Sequence, residues 1–329
     1  MDMKILFTAT DPGGYDVIFP VYSKMKKEIK ECRLLLMEPA SFKSPEYSCE
    51  KNDLLPFVDS FLQKGDILVT GTGWKNDSER NAVILCREKG IKTVSILDYW
   101  NNYVLRFRAQ DGTVVFPDYY FMMDETAENE AVKEGVNPSI IRIAGHPGLD
   151  YFIHKKINLS RAAGIVFLSS PVSELYGKKL GYTEFEATED IINICRRMDI
   201  PFSIKFHPKD TIQYKKQYSC FSAEGQMEDL VSKYKIIIST YSVALLQCWL
   251  MGASVISYQP HLKSDDMCIT NKLGITEGIY TKEDLEHLLK DGNTVRKDIE
   301  GPEWLDGNST DRCVRMLTDI IETTYTEGR

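Results

Sequence analysis

Along the chain, short apolar runs alternate with longer segments in which apolar residues recur every three to four positions. Runs of the first kind suit parallel strands buried on both faces, and segments of the second kind suit amphipathic helices packed over them. In the first half the runs predict strands at 4–10, 32–37, 66–71, 92–98, 118–123 and 140–145. Helices are predicted between them at 16–30, 54–63, 77–89 and 125–134, the last closed by Gly135. Six strands alternating with helices predict one doubly wound parallel domain over 1–150. The polar tract 150–163 reads as a linker, after which the pattern restarts with fewer strands, at 164–168, 202–206, 236–238, 254–258 and a short segment near 278–280. Helices are expected at 184–198, between Ser242 and Gly252, at 282–290 and from 309 to about 323. The fold class is therefore α/β, with two Rossmann-like doubly wound domains, 1–150 and 151–329, whose strand-end loops face a cleft. The last helix is free to pack back on the first domain.

The chemistry is expected where strands end. Ser239-Thr240-Tyr241-Ser242 interrupts the run Ile236-Ile237-Ile238 just before a helix. Unpaired N–H groups and the positive end of a helix dipole make such a corner an anion site, and hydroxyls at Ser239, Thr240 and Ser242 add donors. Ordinary N-capping by Ser or Thr explains the same residues, and both readings stand. Asp11-Pro12-Gly13-Gly14 follows the first strand as either a phosphate or substrate loop or a plain turn, with the paired glycines permitting close approach and positive φ. It has neither the ending of a Walker A loop nor a G-x-G-x-x-G fingerprint. Thr72-Gly73-Trp74 ends the third strand, and Asp98-Tyr99-Trp100-Asn101-Asn102-Tyr103, with Arg106 and Arg108, ends the fourth. Aromatics beside amides, an acid and arginines suit sugar or nucleotide recognition, or packing against a neighbouring loop.

Composition narrows the classes. A net charge of −8 argues against a general nucleic-acid binder. A length of 329 residues suits two domains, and 43% apolar with 27% charged residues is a globular composition. No run approaches a membrane span and no signal-like segment opens the chain, so a cytoplasmic protein is expected, with peripheral membrane association left open. Eight cysteines are scattered singly, as reduced thiols are. The five histidines, at 146, 154, 207, 261 and 287, are dispersed, and Asp265-Asp266 reads as a solvated loop. No metal site and no cofactor are expected.

Six segments in order resemble the GT-B superfamily of nucleotide-sugar enzymes, which includes bacterial glycosyltransferases and the UDP-GlcNAc 2-epimerases. They are A-T-D-P-G-G after the first strand, I-A-G-H-P-G-L-D at the domain boundary, F-L-S-S-P, I-K-F-H-P-K-D, I-S-T-Y-S-V-A-L-L-Q-C-W-L-M-G-A-S-V-I, and D-G-N-S-T-D-R-C-V-R-M-L in the last helix. His207-Pro208 resembles the His-Pro motif of bacterial sialyl- and polysialyltransferases and of CDP-glycerol phosphotransferases, and Ser239 to Ser242 resembles their Ser/Thr phosphate motif. The resemblance implies a metal-independent, inverting glycosyltransferase that takes a CMP-, CDP- or UDP-linked sugar to a saccharide or lipid-linked acceptor in bacterial surface polysaccharide or glycoconjugate assembly. In it Asp11 is the base, with Asp98 in reserve, and His207 contacts the donor. Gly13, Gly14, Asp98, His146, Ser170, Lys209, Ser239, Thr240, Tyr241, Ser242 and Gln247 complete the expected binding set. Gln247 stands where the epimerases place a glutamate, which favours transfer over epimerisation. A UDP-GlcNAc 2-epimerase or UDP-sugar hydrolase, and a non-catalytic nucleotide-sugar-binding protein, are the alternatives.

Overall fold

In the computed structural model, which describes residues 3–73, 77–155, 157–160, 162–290 and 302–327, the apolar runs form two all-parallel sheets. Two compact units divide the chain: Met1–Tyr151 with Gly301–Arg329, and Phe152–Glu300.

The first unit has strands β1 (Lys4–Ala9), β2 (Glu31–Leu36), β3 (Ile67–Thr70), β4 (Lys92–Ile96), β5 (Tyr119–Met122) and β6 (Ile141–Ile143). They lie in the order β2-β1-β3-β4-β5-β6. Chain direction across the sheet reverses between β1 and β3, so the loops after these two strands flank the crevice where ligands of open α/β sheets sit. Helices α1 (Pro12–Met25), α2 (Leu54–Phe61), α3 (Ser78–Glu88) and α4 (Glu125–Glu134) accompany them, and the boundary with the second unit falls within α5 (Asp150–His154). Period-two alternation sorts the strands' side chains. Ile5, Phe7 and Ala9 pack with Val17, Ile18 and Val21 of α1 on one face. Leu6 and Leu68 pack with Leu54, Val58, Ala82 and Val83 of α2 and α3 on the other.

The second unit orders β7 (Ile165–Leu168), β8 (Phe202–Lys205), β9 (Ile236–Ser239), β10 (Ser254–Tyr258) and β11 (Gly278–Ile279) as β11-β10-β9-β7-β8. Its switch point lies between β7 and β9, bounded by the loops that carry Ser170 and Ser239 to Ser242. Its helices are α6 (Val172–Tyr176), α7 (Glu184–Arg197), α8 (Ile212–Gln217), α9 (Met227–Lys233), α10 (Ala244–Leu250), α11 (Ile269–Lys272) and α12 (Lys282–Lys290). The final helix, α13 (Ser309–Glu327), belongs to the first unit, where Cys313, Leu317, Ile320 and Ile321 join the α1 core. Asp150 anchors its start, accepting from the N–H groups of Ser309 at 3.1 Å and Thr310 at 2.7 Å. Among the described residues, no helix is long and apolar enough to cross a membrane.

One boundary differs in a way that matters. Helix α1 begins at Pro12, four residues before the predicted start, because Asp11 caps it and proline is tolerated at the first helical position. Gly13 and Gly14 thus occupy the first helical turn and are not among the positive-φ glycines. Trp74, from the end of the third predicted strand, lies outside the described residues.

Candidate functional site

In the first unit the loops after β1, β3 and β4 converge on three carboxyl groups. Asp11 accepts the Gly14 N–H at 2.8 Å through Oδ1 and so caps α1. Its Oδ2 lies 3.0 Å from the point where a side-chain carbon on Gly73 would sit. Asp98 is held on Oδ1 by Arg106 Nη1 at 2.6 Å and by the Thr72 hydroxyl at 3.0 Å. A side-chain carbon on Gly13 would overlap Asp98 Oδ2, so close approach, and not positive φ, is what requires glycine there.

The third carboxyl, Glu79 in the first turn of α3, was not picked out by pattern. It is 3% exposed, accepts from Thr10 N and Thr10 Oγ1 at 3.2 Å each, and accepts from Gly73 N at 2.5 Å. Burial, and then the negative charge of Asp11, push it up to about 8. An acid in a first helical turn reads as ordinary dipole complementation, so only its burial marks it out.

The aromatic and arginine run after β4 is mostly packing. Trp100 is buried and donates to Asp124 Oδ2 at 2.8 Å, and Tyr103 is buried and donates to Glu130 Oε2 at 2.8 Å. Arg106, also buried, bonds Thr72 O at 2.7 Å and Asn101 O at 3.0 Å besides Asp98. His146 stacks on Trp100 with ring centroids 5.9 Å apart, and its Nε2 lies 3.2 Å from the Asp98 carbonyl oxygen. Burial holds its imidazole below the usual histidine range.

In the second unit the serine-rich corner is partly committed to structure. Ser239 is fully buried and donates to Leu168 O at 2.7 Å, tying β9 to β7, so its hydroxyl is no phosphate donor, contrary to the sequence expectation. Thr240 is also fully buried, and its carbonyl accepts from Ser257 Oγ at 2.9 Å. Ser242 is half-buried, and its Oγ accepts the Ala244 N–H at 3.2 Å at the start of α10. Tyr241 meets Tyr176 edge to face with centroids 6.0 Å apart, and Gln247 is half-buried on α10. Ser170, buried, follows β7.

His207, half-buried, follows β8. Its Nδ1 accepts the Lys209 N–H at 3.1 Å and its own N–H donates to Asp210 Oδ2 at 2.8 Å. Burial, then the charges of Lys209 and Lys215, push it down to about 4. With Nδ1 accepting, the ring proton sits on Nε2, and the neutral imidazole is an N–H donor. Lys209 itself is exposed. Asp266 is not simply solvated as expected: it accepts from Gln259 Nε2, Asn271 Nδ2, Cys268 N and Tyr280 OH at 2.7–2.8 Å. Among the described residues no group of three or more His, Cys, Asp or Glu side chains is arranged so that it could hold a metal ion.

No protein-family model and no curated protein sequence matches the chain. Solved structures do. The UDP-GlcNAc 2-epimerase of Neisseria meningitidis bound to UDP-GlcNAc superimposes with a TM-score of 0.69 at 14% identity, covering 96% of this chain and 100% of that one. Anabaena Alr3699/HepE in complex with UDP and glucose gives 0.56 at 11%, covering 98% and 99%. The wall teichoic acid polymerase TagF also gives 0.56 at 11%, covering 99% and 90%. With two parallel Rossmann-like sheets and such coverage, this chain has the GT-B fold that those three proteins share.

Proposed function

We propose that the chain is a metal-independent glycosyltransferase that uses a CMP-, CDP- or UDP-linked sugar to extend a saccharide or lipid-linked acceptor. The observation that carries this reading is His207: a neutral imidazole locked as an Nε2–H donor at the end of a parallel strand, suited to a donor-phosphate oxygen at neutral pH. Lys209 beside it and the start of α10, which follows the Ser239 to Ser242 turn, add positive potential. In the first unit Asp11 offers Oδ2 as base. The acceptor oxygen attacks the anomeric carbon and its proton passes to Asp11. The sugar–phosphate C–O bond breaks, and the nucleotide leaves with the electron pair.

A UDP-sugar 2-epimerase is the second reading, favoured by the higher TM-score of the epimerase, 0.69 against 0.56. Incubation with UDP-GlcNAc and other nucleotide sugars separates the two. Nucleotide release that requires an acceptor supports transfer, whereas a 2-epimer formed without acceptor supports epimerisation. Asp11→Asn tests the base. Asparagine caps as well as aspartate, so stability should change little. Turnover should fall by about 10²–10⁴ with donor affinity unchanged. A variant retaining most of the wild-type turnover transfers the role to Asp98.

A further inference from the structure

The buried carboxyl of Glu79 has no part in the transfer scheme above, yet two loops are fastened to it. Oε1 accepts the N–H of Thr10, the residue before Asp11, and Oε2 accepts the N–H of Gly73, the residue after Thr72. Thr72 in turn holds Asp98. A side-chain carbon on Gly73 would lie 2.6 Å from Glu79 Oε2 and 3.0 Å from Asp11 Oδ2, so the two carboxyl groups flank one small gap that only glycine leaves open. Among the described residues the charged groups around Glu79 are Asp11 from the loop after β1, Asp98 after β4 with Arg106 bound to it, and Arg80 paired with Asp77 at the start of α3. Both cations are committed to other carboxylates.

We propose that Glu79 is a positioning residue for Asp11: it pins the loops after β1 and β3 together and, by keeping its own proton, leaves Asp11 the ionised member of the pair. This rests on the transfer reading, in which Asp11 is the base. The upward push on Glu79 from burial and from Asp11 agrees with it, and the hydrogen bonds from Gly73 and Thr10 oppose that push only in part. When protonated, Oε2 donates to the Thr10 hydroxyl, which accepts as readily as it donates.

The test is a carboxyl ¹³C NMR titration of the full chain labelled at Asp and Glu, with the Glu79 resonance assigned as the one missing from Glu79→Gln. The expected midpoint is about 8, and Asp11→Asn should lower it by about one pH unit or more by removing the like charge. A midpoint in the ordinary range of about 4.3, or one that Asp11→Asn leaves in place, overturns the proposal. If Glu79→Gln does not fold, Asp11→Asn carries the test, since the carboxyl titrating near 8 must then move while Asp210, which burial pushes up to about 6, stays in place. The activity arm compares pH profiles. The wild type should show an alkaline fall in kcat as Glu79 ionises beside Asp11, and Glu79→Gln should keep the donor KM and lose that fall, whereas superimposable profiles remove the positioning role and leave transfer standing. Absence of acceptor-dependent transfer in the wild type sinks the transfer reading instead, and with it the role of Glu79 toward a base.

Discussion

Replacing Gly13 by alanine sets two effects against each other in the first turn of α1. Alanine is favoured over glycine in a helix interior by about 1 kcal/mol, and by less near an end. Against this, the added methyl would overlap Asp98 Oδ2 and lie 3.2 Å from Asp98 Cγ. Asp98 cannot swing away cheaply, because Arg106 and Thr72 hold its other oxygen. Overpacking costs about 1–3 kcal/mol. Breaking the Arg106 pair to relieve it would leave a buried guanidinium uncompensated, at about 3–5 kcal/mol. The clash therefore wins, and Gly13→Ala should destabilise the first unit by about 1–3 kcal/mol. Gly14→Ala is the control: its methyl would meet Ala9 Cβ at 3.4 Å and Gly71 Cα at 3.5 Å, ordinary contacts. That change should stay within about 0.5 kcal/mol of the wild type. For a unit of this size each kcal/mol moves Tm by about 2–4 °C. Calorimetry of the full chain should therefore show one transition lowered by about 2–12 °C in Gly13→Ala and hardly moved in Gly14→Ala. A Gly13→Ala protein that melts with the wild type or above it would refute the steric account of the glycine and the fixed Asp98 on which it depends.

Three further outcomes are expected. Because Glu79 stands near 8 when folded against an ordinary 4.5, the native chain binds more protons than the unfolded chain between those values. Wild-type stability relative to Glu79→Gln is then full below about pH 4.5 and is lost as pH rises through about 8, which urea unfolding at a series of pH values will reveal, and parallel curves count against it. For His207, held down to about 4, the wild-type advantage in nucleotide affinity over His207→Ala should be about ten- to a hundredfold and flat from about pH 8 to pH 5 by calorimetry. An advantage that grows as pH falls through 6.5 would mean that the imidazolium binds. Asp150→Ala should cost about 0.5–2 kcal/mol in urea unfolding by releasing the start of α13, and no loss would mean that the apolar face of the helix docks it unaided.

Burial patterning is local in sequence, and the features it controls were legible. The runs at Ile236 to Ile238 and Ser254 to Tyr258 became β9 and β10, and Lys282–Lys290 became α12 at its predicted limits. A strand buried on both faces must be apolar throughout, and a helix lying on it must be apolar on one stripe, whatever the neighbours are. Errors gathered where a cap decides the boundary, as at Pro12. A proline and two glycines read as a loop until Asp11 is seen to satisfy the Gly14 N–H.

The site was legible only as a set of strand ends. Which strand ends adjoin follows from strand order, and the switch points between β1 and β3 and between β7 and β9 are properties of the folded sheet. Hydroxyl and carboxyl side chains carry the same chemistry in every role, so Ser239 as a strand tie and Ser242 as a turn acceptor are indistinguishable in sequence from phosphate donors. Glu79 and Arg106 show the limit most clearly. Glu79 looks like a solvated surface charge in the chain and Arg106 like a recognition or packing residue, and each is buried because loops distant in sequence close over it, Thr10 on Glu79 and Thr72 on Arg106. The sequence by itself determined two parallel α/β units with polar strand ends, since hydrophobic burial leaves few alternatives. Only the tertiary structure decided which of those polar groups lose water and face one another, because desolvation and charge coupling depend on distances that no local pattern encodes.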